Sequence, residues 1–384
     1  MTEEERKYAF FLCSIPGIGG VRAGQLFTRF GSPRGVYEAE TEALRECVSG
    51  SVAEAVERQK KSGAWEREYE QLAEKQIGFI LQKEAGFPQK LAEIPDPPYG
   101  IFYRGRLPEA TRPAVAVIGA RECSEYGRYV AEELGGYLGR AGIQVISGMA
   151  RGIDGISQQA ALSAGGTSYG VLGCGVDICY PSQNRRLYEE LLQKGGLLST
   201  YMPGTKPLPQ YFPPRNRIVS GLSDALIVIE ARQKSGTLIT VDMALEQGKD
   251  VYVVPGRITD RLSDGCNRLL TQGAGVFLSP ESFAEEFLQS WKEKRRLSTE
   301  PSDGWEKNRT KDGGGAQVKL PKESLQKIYA LLGPVPKTSE TLLQELWEMG
   351  EYTDISALNR GLMELELLGY ARQSVPGHFS TSAN

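Results

Sequence analysis

Several short segments of this sequence are glycine-rich or basic; glycine lets a phosphate approach the backbone, and a cation meets it with a full positive charge. They are Gly119-Ala120-Arg121, the run Ser147-Gly148-Met149-Ala150-Arg151-Gly152-Ile153-Asp154, Gly173-Cys174-Gly175, Lys234-Ser235-Gly236-Thr237 and Pro255-Gly256-Arg257. Two of them open helical patterns, where free N–H groups and the helix dipole favour an anion. A further segment, Gly204 to Arg217, brackets the adjacent aromatics Tyr211 and Phe212 with Lys206, Arg215, Asn216 and Arg217. Cations that follow a backbone and rings that stack on bases make a single-strand binding surface. One of the two aromatics is expected to face the core instead. The candidate phosphate site is thus Gly119, Arg121, Ser147, Gly148, Arg151, Gly152, Lys206, Tyr211, Phe212, Arg215, Asn216, Arg217, Lys234, Ser235, Gly236 and Thr237.

Other chemistries lack their residues. A dinucleotide site needs G-x-G-x-x-G after the first strand and an acid about 20 residues on, and a P-loop needs G-x-x-x-x-G-K-[ST]. The first loop reads Gly119-Ala120-Arg121-Glu122-Cys123, and Lys234 precedes its glycine, so neither a dinucleotide nor ATP is expected as a cofactor. The sole histidine, His378, is near the end of the sequence, and the six cysteines form no C-x-x-C pair, which argues against zinc and against a histidine base. A catalytic reading survives only as an alternative. A Rossmann-like enzyme that splits nucleoside monophosphates at the base–sugar bond would cast Glu230 as its acid, but the Lys234 loop lacks that group's P-G-G-x-G-T pattern.

The net charge of −3 weighs mildly against a nucleic-acid binder, so the distribution of charge must decide. No apolar run reaches the roughly 18 residues of a membrane span. The charged residues 1–8 hold no signal-peptide core. A cytoplasmic protein without membrane contact is expected.

The loops fall at the ends of apolar runs that read as strands: Ala114–Ile118, Ile143–Ser147, Ser168–Leu172, Ala225–Ile229 and Asp250–Val254. Helical patterns lie between them, at Tyr126–Arg140, Ile153–Ala164 and Leu238–Gln247. Two extended pieces, Gly78–Leu81 and Gly100–Tyr103, come first. Alternation of this kind implies an α/β fold with a parallel sheet covered on both faces, and ligands bind outside the carboxyl ends of such strands. The expected organisation is a small helical domain over 1–70, a Rossmann-like domain over 75–290, a flexible linker over 291–322 and a last small domain over 323–384. In the first, Ile15-Pro16-Gly17-Ile18-Gly19-Gly20 reads equally as a phosphate-contacting helix-hairpin-helix and as a plain turn. The last shows three helical faces and a hairpin, a winged-helix pattern. Its four cations against eight acids give −4, which would repel duplex DNA and suits a protein partner.

In this order the motifs resemble the DNA-processing protein A family (DprA, also called Smf). The matching segments are Val115 to Arg121, Ser147 to Asp154, Gly173 to Asp177 with Tyr180-Pro181, Pro213 to Gly221, Lys234 to Thr240, and Glu246-Gln247-Gly248 with Val254-Pro255-Gly256. The resemblance implies a non-catalytic homodimer that binds single-stranded DNA and loads the RecA recombinase onto incoming strands in natural transformation. Single-stranded DNA-binding protein is a further implied partner. It also implies a DNA pocket that includes Arg121, Lys206, Phe212 and Lys234, a helical domain of SAM-like type at the N-terminus and a winged helix at the C-terminus. Two positions depart from the family pattern: Gln158 stands where histidine is usual, and Ser199-Thr200 lacks a glutamate often found there.

Overall fold

The structure is a computed structural model that describes residues 2–299, 323–333, 337–348, 354–375 and 378–381. The chain divides into two compact units, Met1–Glu300 and Pro301–Asn384.

The first unit is organised by a nine-stranded sheet. Its strands are β1 (Gly78–Leu81), β2 (Gly100–Gly105), β3 (Ala114–Ile118), β4 (Gln144–Ser147), β5 (Ser168–Val171), β6 (Gly196–Ser199), β7 (Ala225–Val228), β8 (Asp250–Val253) and β9 (Gly275–Val276). They lie in the order β1-β2-β6-β5-β4-β3-β7-β8-β9. From β6 to β9 every neighbouring pair is parallel, while β2 pairs antiparallel with both β6 and β1. The five expected strands are β3, β4, β5, β7 and β8, with no end moved by more than one residue. The two extended pieces joined the same sheet as β1 and β2. β6 and β9 were not among the expected strands, because their apolar runs, two residues in Gly-Leu-Leu-Ser and one in Gly-Val, are too short to show a period.

Strand β3 is central and buried along its whole length. Ala114, Ala116 and Ile118 face one core with Val219, Val241 and Leu269 of the helices Phe212–Gly221, Gly236–Glu246 and Asp264–Thr271. Val115 and Val117 face the other, with Leu134 and Phe287 of the helices Glu125–Arg140 and Pro280–Thr299. The period of two sends alternate residues to opposite faces, so a two-faced core demands an unbroken apolar strand.

The expected boundary near residue 70 has no counterpart in the packing. Phe10, Leu12, Trp65 and Leu72 of the N-terminal helices share one core with Phe79, Leu81 and Phe102 of β1 and β2. The expected linker also starts later than residue 291. Pro280–Thr299 is one helix, in which Trp291 packs against the sheet core and carries the Arg295 guanidinium 5.3 Å from its ring. An apolar anchor within a charged stretch prolongs the helix. The remainder of the expected linker, 300–322, lies outside the described residues.

The second unit contains helices Glu323–Leu331, Ser339–Glu348 and Ile355–Leu367 and a small antiparallel sheet of β10 (Lys337–Thr338), β11 (Ala371–Val375) and β12 (His378–Thr381), ordered β10-β12-β11. Leu325, Leu342, Leu358, Leu362 and Phe379 form its core.

Candidate nucleic-acid interface

After β3 the chain steps to β4, β5 and β6 on one side and then returns to place β7 on the other. The carboxyl ends of β3 and β7 therefore flank the switch point, where doubly wound sheets bind ligands. A cleft of about 610 Å³ opens there. Gly119 and Arg121 line it after β3, Arg232 and Ser235 after β7, and Phe212 and Asn216 from the helix Phe212–Gly221. Gly236 and Thr237 complete that wall at the start of the helix Gly236–Glu246. This helix has no side-chain cap, and the buried Ser235 hydroxyl at its N-cap has no hydrogen-bond partner among the described residues. Its first residues, Gly236 and Thr237, thus bring uncapped amides to the cleft, while the Leu238 amide donates to the Ser235 carbonyl, and such an end suits an anion.

Phe212 is the centre of the site. Its half-buried ring is stacked with Tyr180 at 5.8 Å and 28°. The guanidinium groups of Arg121 and Arg215 lie 5.5 and 5.6 Å from its centroid. The ring also borders a second hollow of about 50 Å³, lined by Arg121, Arg151, Gly173 and Tyr180.

The cations differ in kind. Arg215 is 6% exposed. It donates to the Gly148 carbonyl at 2.7 Å and to the Val171 carbonyl, and its Nε donates to Asn216 Oδ1 at 3.2 Å. Arg215 is therefore a buried strut under the cleft, not a mobile phosphate ligand. Arg217 is likewise committed, to the Asp96 carboxylate and, at 2.5 Å, to the Asp96 carbonyl. Arg121, Arg151, Lys206, Arg232 and Lys234 are exposed. Among the described residues no carboxylate lies within 4.0 Å of any of them. Elsewhere in the unit, Lys90, Arg185 and Arg186 sit in ion pairs. These five cations lie on the loops at the carboxyl edge of the sheet, although other exposed cations that form no ion pair among the described residues, such as Lys75, Lys83 and Arg106, lie elsewhere in the unit.

The loop from Ser147 to Asp154 differs from expectation. The Ser147 hydroxyl points inward and donates to the Val117 carbonyl at 2.6 Å. The Gly148 amide donates to Asp154 Oδ2 at 3.1 Å, so the chain's own carboxylate occupies the place proposed for a phosphate. Burial pushes the Asp154 carboxyl up, opposed by the Arg215 charge and by hydrogen bonds from Gly148 and its neighbours. Burial pushes Arg215 down, opposed by Asp154. Gly152 is required by geometry: its φ is +72°, and a Cβ there would lie 2.3 Å from the Ala120 carbonyl oxygen.

Tyr211 turns from the cleft onto Tyr201, with ring centroids 4.4 Å apart, and its carbonyl accepts from the Tyr201 hydroxyl at 3.2 Å. Lys206 and Lys234 are exposed near the cleft without lining it. Arg232, Tyr180 and Glu122 line cavities here but were not among the candidates. Arg232 was legible as the first cation after β7. Glu230, the acid of the alternative reading, is 1% exposed and accepts from the Ser124 amide at 2.9 Å and from the Ser124 hydroxyl. It holds Ser124, the N-cap residue of the helix Glu125–Arg140, and does not line the cleft. Gln158 is buried too, accepting from the Met149 amide and donating to the Tyr169 carbonyl at 3.1 and 3.0 Å. Among the described residues no cluster of three metal-ligating side chains occurs, and no helix is long and apolar enough to cross a membrane.

Residues 78–288, the whole sheet and its loops, match the profile of DNA recombination-mediator protein A. The chain belongs to that family. A relative named protein Smf, from Synechocystis sp., is 31% identical over 98% of both chains. The X-ray structure of DNA processing protein A from Streptococcus pneumoniae superposes with a TM-score of 0.62 at 31% identity, covering 72% of this chain and 95% of the other. DNA processing protein A from Helicobacter pylori, a structure described for its single-stranded DNA binding mode, gives a TM-score of 0.51 at 30% identity, covering 56% and 97%. Membership in the DNA recombination-mediator protein A family thus rests on the sheet and the loops that form the cleft.

Proposed function

We propose that this member of the family binds single-stranded DNA in the cleft and acts as a recombination mediator that loads RecA recombinase onto incoming strands in natural transformation. The observation that carries the binding step is the half-exposed Phe212 ring beside the exposed, unpaired Arg121. A base can stack on such a ring while the adjoining phosphate meets the guanidinium, and only an unpaired strand presents both groups together. The open N-terminus of the helix Gly236–Glu246 and the cations Arg151, Arg232, Lys234 and Lys206 extend the favourable field. The likeness to the Helicobacter pylori protein supports the same ligand.

The reading extends to assembly. Leu245, Val276 and Leu278 are exposed apolar side chains at the β9 end of the sheet, and they support a homodimer formed there. The second unit, with its three helices and small sheet, is read as an acidic winged helix that meets a protein partner, with RecA and single-stranded DNA-binding protein as the expected partners of the whole. A cytoplasmic, non-catalytic role fits this proposal. An electrophoretic shift with the full-length chain tests the binding step. Oligothymidylate should shift at lower protein concentration than a duplex of equal length, and equal affinity for both would overturn the reading.

A further inference from the structure

The loop from Gly256 to Ser263, which joins β8 to the helix Asp264–Thr271, is tied to itself. The Gly256 amide donates to Asn267 Oδ1 at 3.2 Å, and Asn267 Nδ2 donates back to the Gly256 carbonyl at 3.1 Å. Backbone bonds run from Asp260 to Arg257 and from Ser263 to Asp260, each 3.0 Å. The Asp260 carboxylate accepts from the Leu262 amide at 3.0 Å. The loop closes so tightly that a Cβ on Gly256 would lie 1.9 Å from the Ser263 hydroxyl.

A loop held in this way displays its tip at little further entropic cost. The tip is Ile258, 91% exposed. Arg257 and Arg261 flank it, both exposed, and among the described residues neither has a carboxylate within 4.0 Å. The loop borders the cleft directly. The Ala231 amide donates to the Leu262 carbonyl at 2.8 Å, and Ala231, Leu262 and Arg232 all line the cleft. On its other side Tyr126, 49% exposed, donates to the Pro255 carbonyl at 3.3 Å.

We propose that this loop is a second stretch of the strand track: backbone phosphates leaving the cleft past Arg232 meet Arg257 and Arg261, and a base packs on Ile258 beside Tyr126. An aliphatic tip between two free cations matches the phosphate–base repeat of a single strand. This inference rests on the cleft being the strand-binding site, and the test separates the two.

Binding of fluorescent oligothymidylates of about 6 and about 30 nucleotides, the first near the size of one site, is measured by anisotropy with the full-length protein. The double variant Arg257→Ala/Arg261→Ala should bind the long oligomer about tenfold more weakly, with a salt slope lower by about 1.4 for two lost phosphate contacts. The short oligomer should bind as it does to the unaltered protein. Ile258→Ser should show the same length dependence with the salt slope unchanged. Unaltered long-oligomer binding in these variants overturns the track and leaves the loop to a protein partner. A parallel loss for both lengths overturns it as well, because a general field would then be the cause. Failure of the unaltered protein to bind either oligomer overturns the reading of the cleft itself.

Discussion

Arg121 and Arg215 approach the same Phe212 ring, at 5.5 and 5.6 Å, yet one guanidinium is exposed and the other is buried. Arg215 holds the floor of the cleft to β5 and to the loop after β4. Arg121 keeps its donors free for a ligand. The same residue type thus supplies both the scaffold and the contact.

Phe212→Ala should separate binding from stability. The ring is partly buried and packs on Tyr180 at the edge of the cleft, outside the sheet core. Its removal should therefore cost less than that of a core aromatic, while loss of a stacking platform costs about 1–3 kcal/mol per base. Anisotropy should show oligothymidylate binding about tenfold or more weaker, with a thermal midpoint within a few degrees of the unaltered protein.

Arg215→Ala should do the reverse. Removing the buried guanidinium leaves the Gly148 and Val171 carbonyls without this donor, at a cost of about 1–3 kcal/mol each. Urea unfolding should show a much lower midpoint. Arg215→Lys should recover only part of the loss, because an ammonium cannot reproduce the bonds to two carbonyls and a side-chain amide.

The sheet was legible because strands buried on both faces must be continuous apolar runs, as at Ala114–Ile118. The cleft was legible because glycines and cations gathered at the ends of those runs. What the sequence did not show was which cations are free. Arg215, Arg217 and Arg121 look alike in a list of residues. Their difference arises from Asp96, Gly148 and Val171, which are distant in sequence and brought close only by the fold. For the same reason Ser147 and Gly148 read as phosphate-facing, although the Ser147 hydroxyl bonds to β3 and the Gly148 amide to Asp154 of its own loop. Tyr211 packs on Tyr201 and Phe212 on Tyr180, a difference between adjacent aromatics that only the fold reveals.

Glu230→Gln should lower the thermal midpoint and leave DNA affinity unchanged. The carboxylate accepts two hydrogen bonds from Ser124, and an amide nitrogen facing those donors would cost about 1–3 kcal/mol. Loss of DNA affinity at an unchanged midpoint would place Glu230 in the site instead.

Alkaline pH should destabilise the first unit. Burial pushes the Cys13 and Cys266 thiols up to about 12 and Cys174 to about 11, from an ordinary 9.0. Below pH 9.0 these thiols are neutral in both the folded and unfolded chain and cost nothing. Above it the unfolded chain releases protons that the folded chain retains, so stability falls as pH rises from 9.0 towards 12. Unfolding midpoints across this range should decline, and these thiols should resist alkylation in the native protein at pH 8, within about a unit of the ordinary value.

The most direct test of the central claim is the salt dependence of oligothymidylate binding for the unaltered protein and for Arg121→Ala. If Arg121 meets a phosphate in the cleft, the variant should bind about tenfold or more weakly, and the slope of log affinity against log salt should shrink by about 0.7. Equal affinity and equal slope in the two proteins would contradict the assignment of this cleft to the DNA strand.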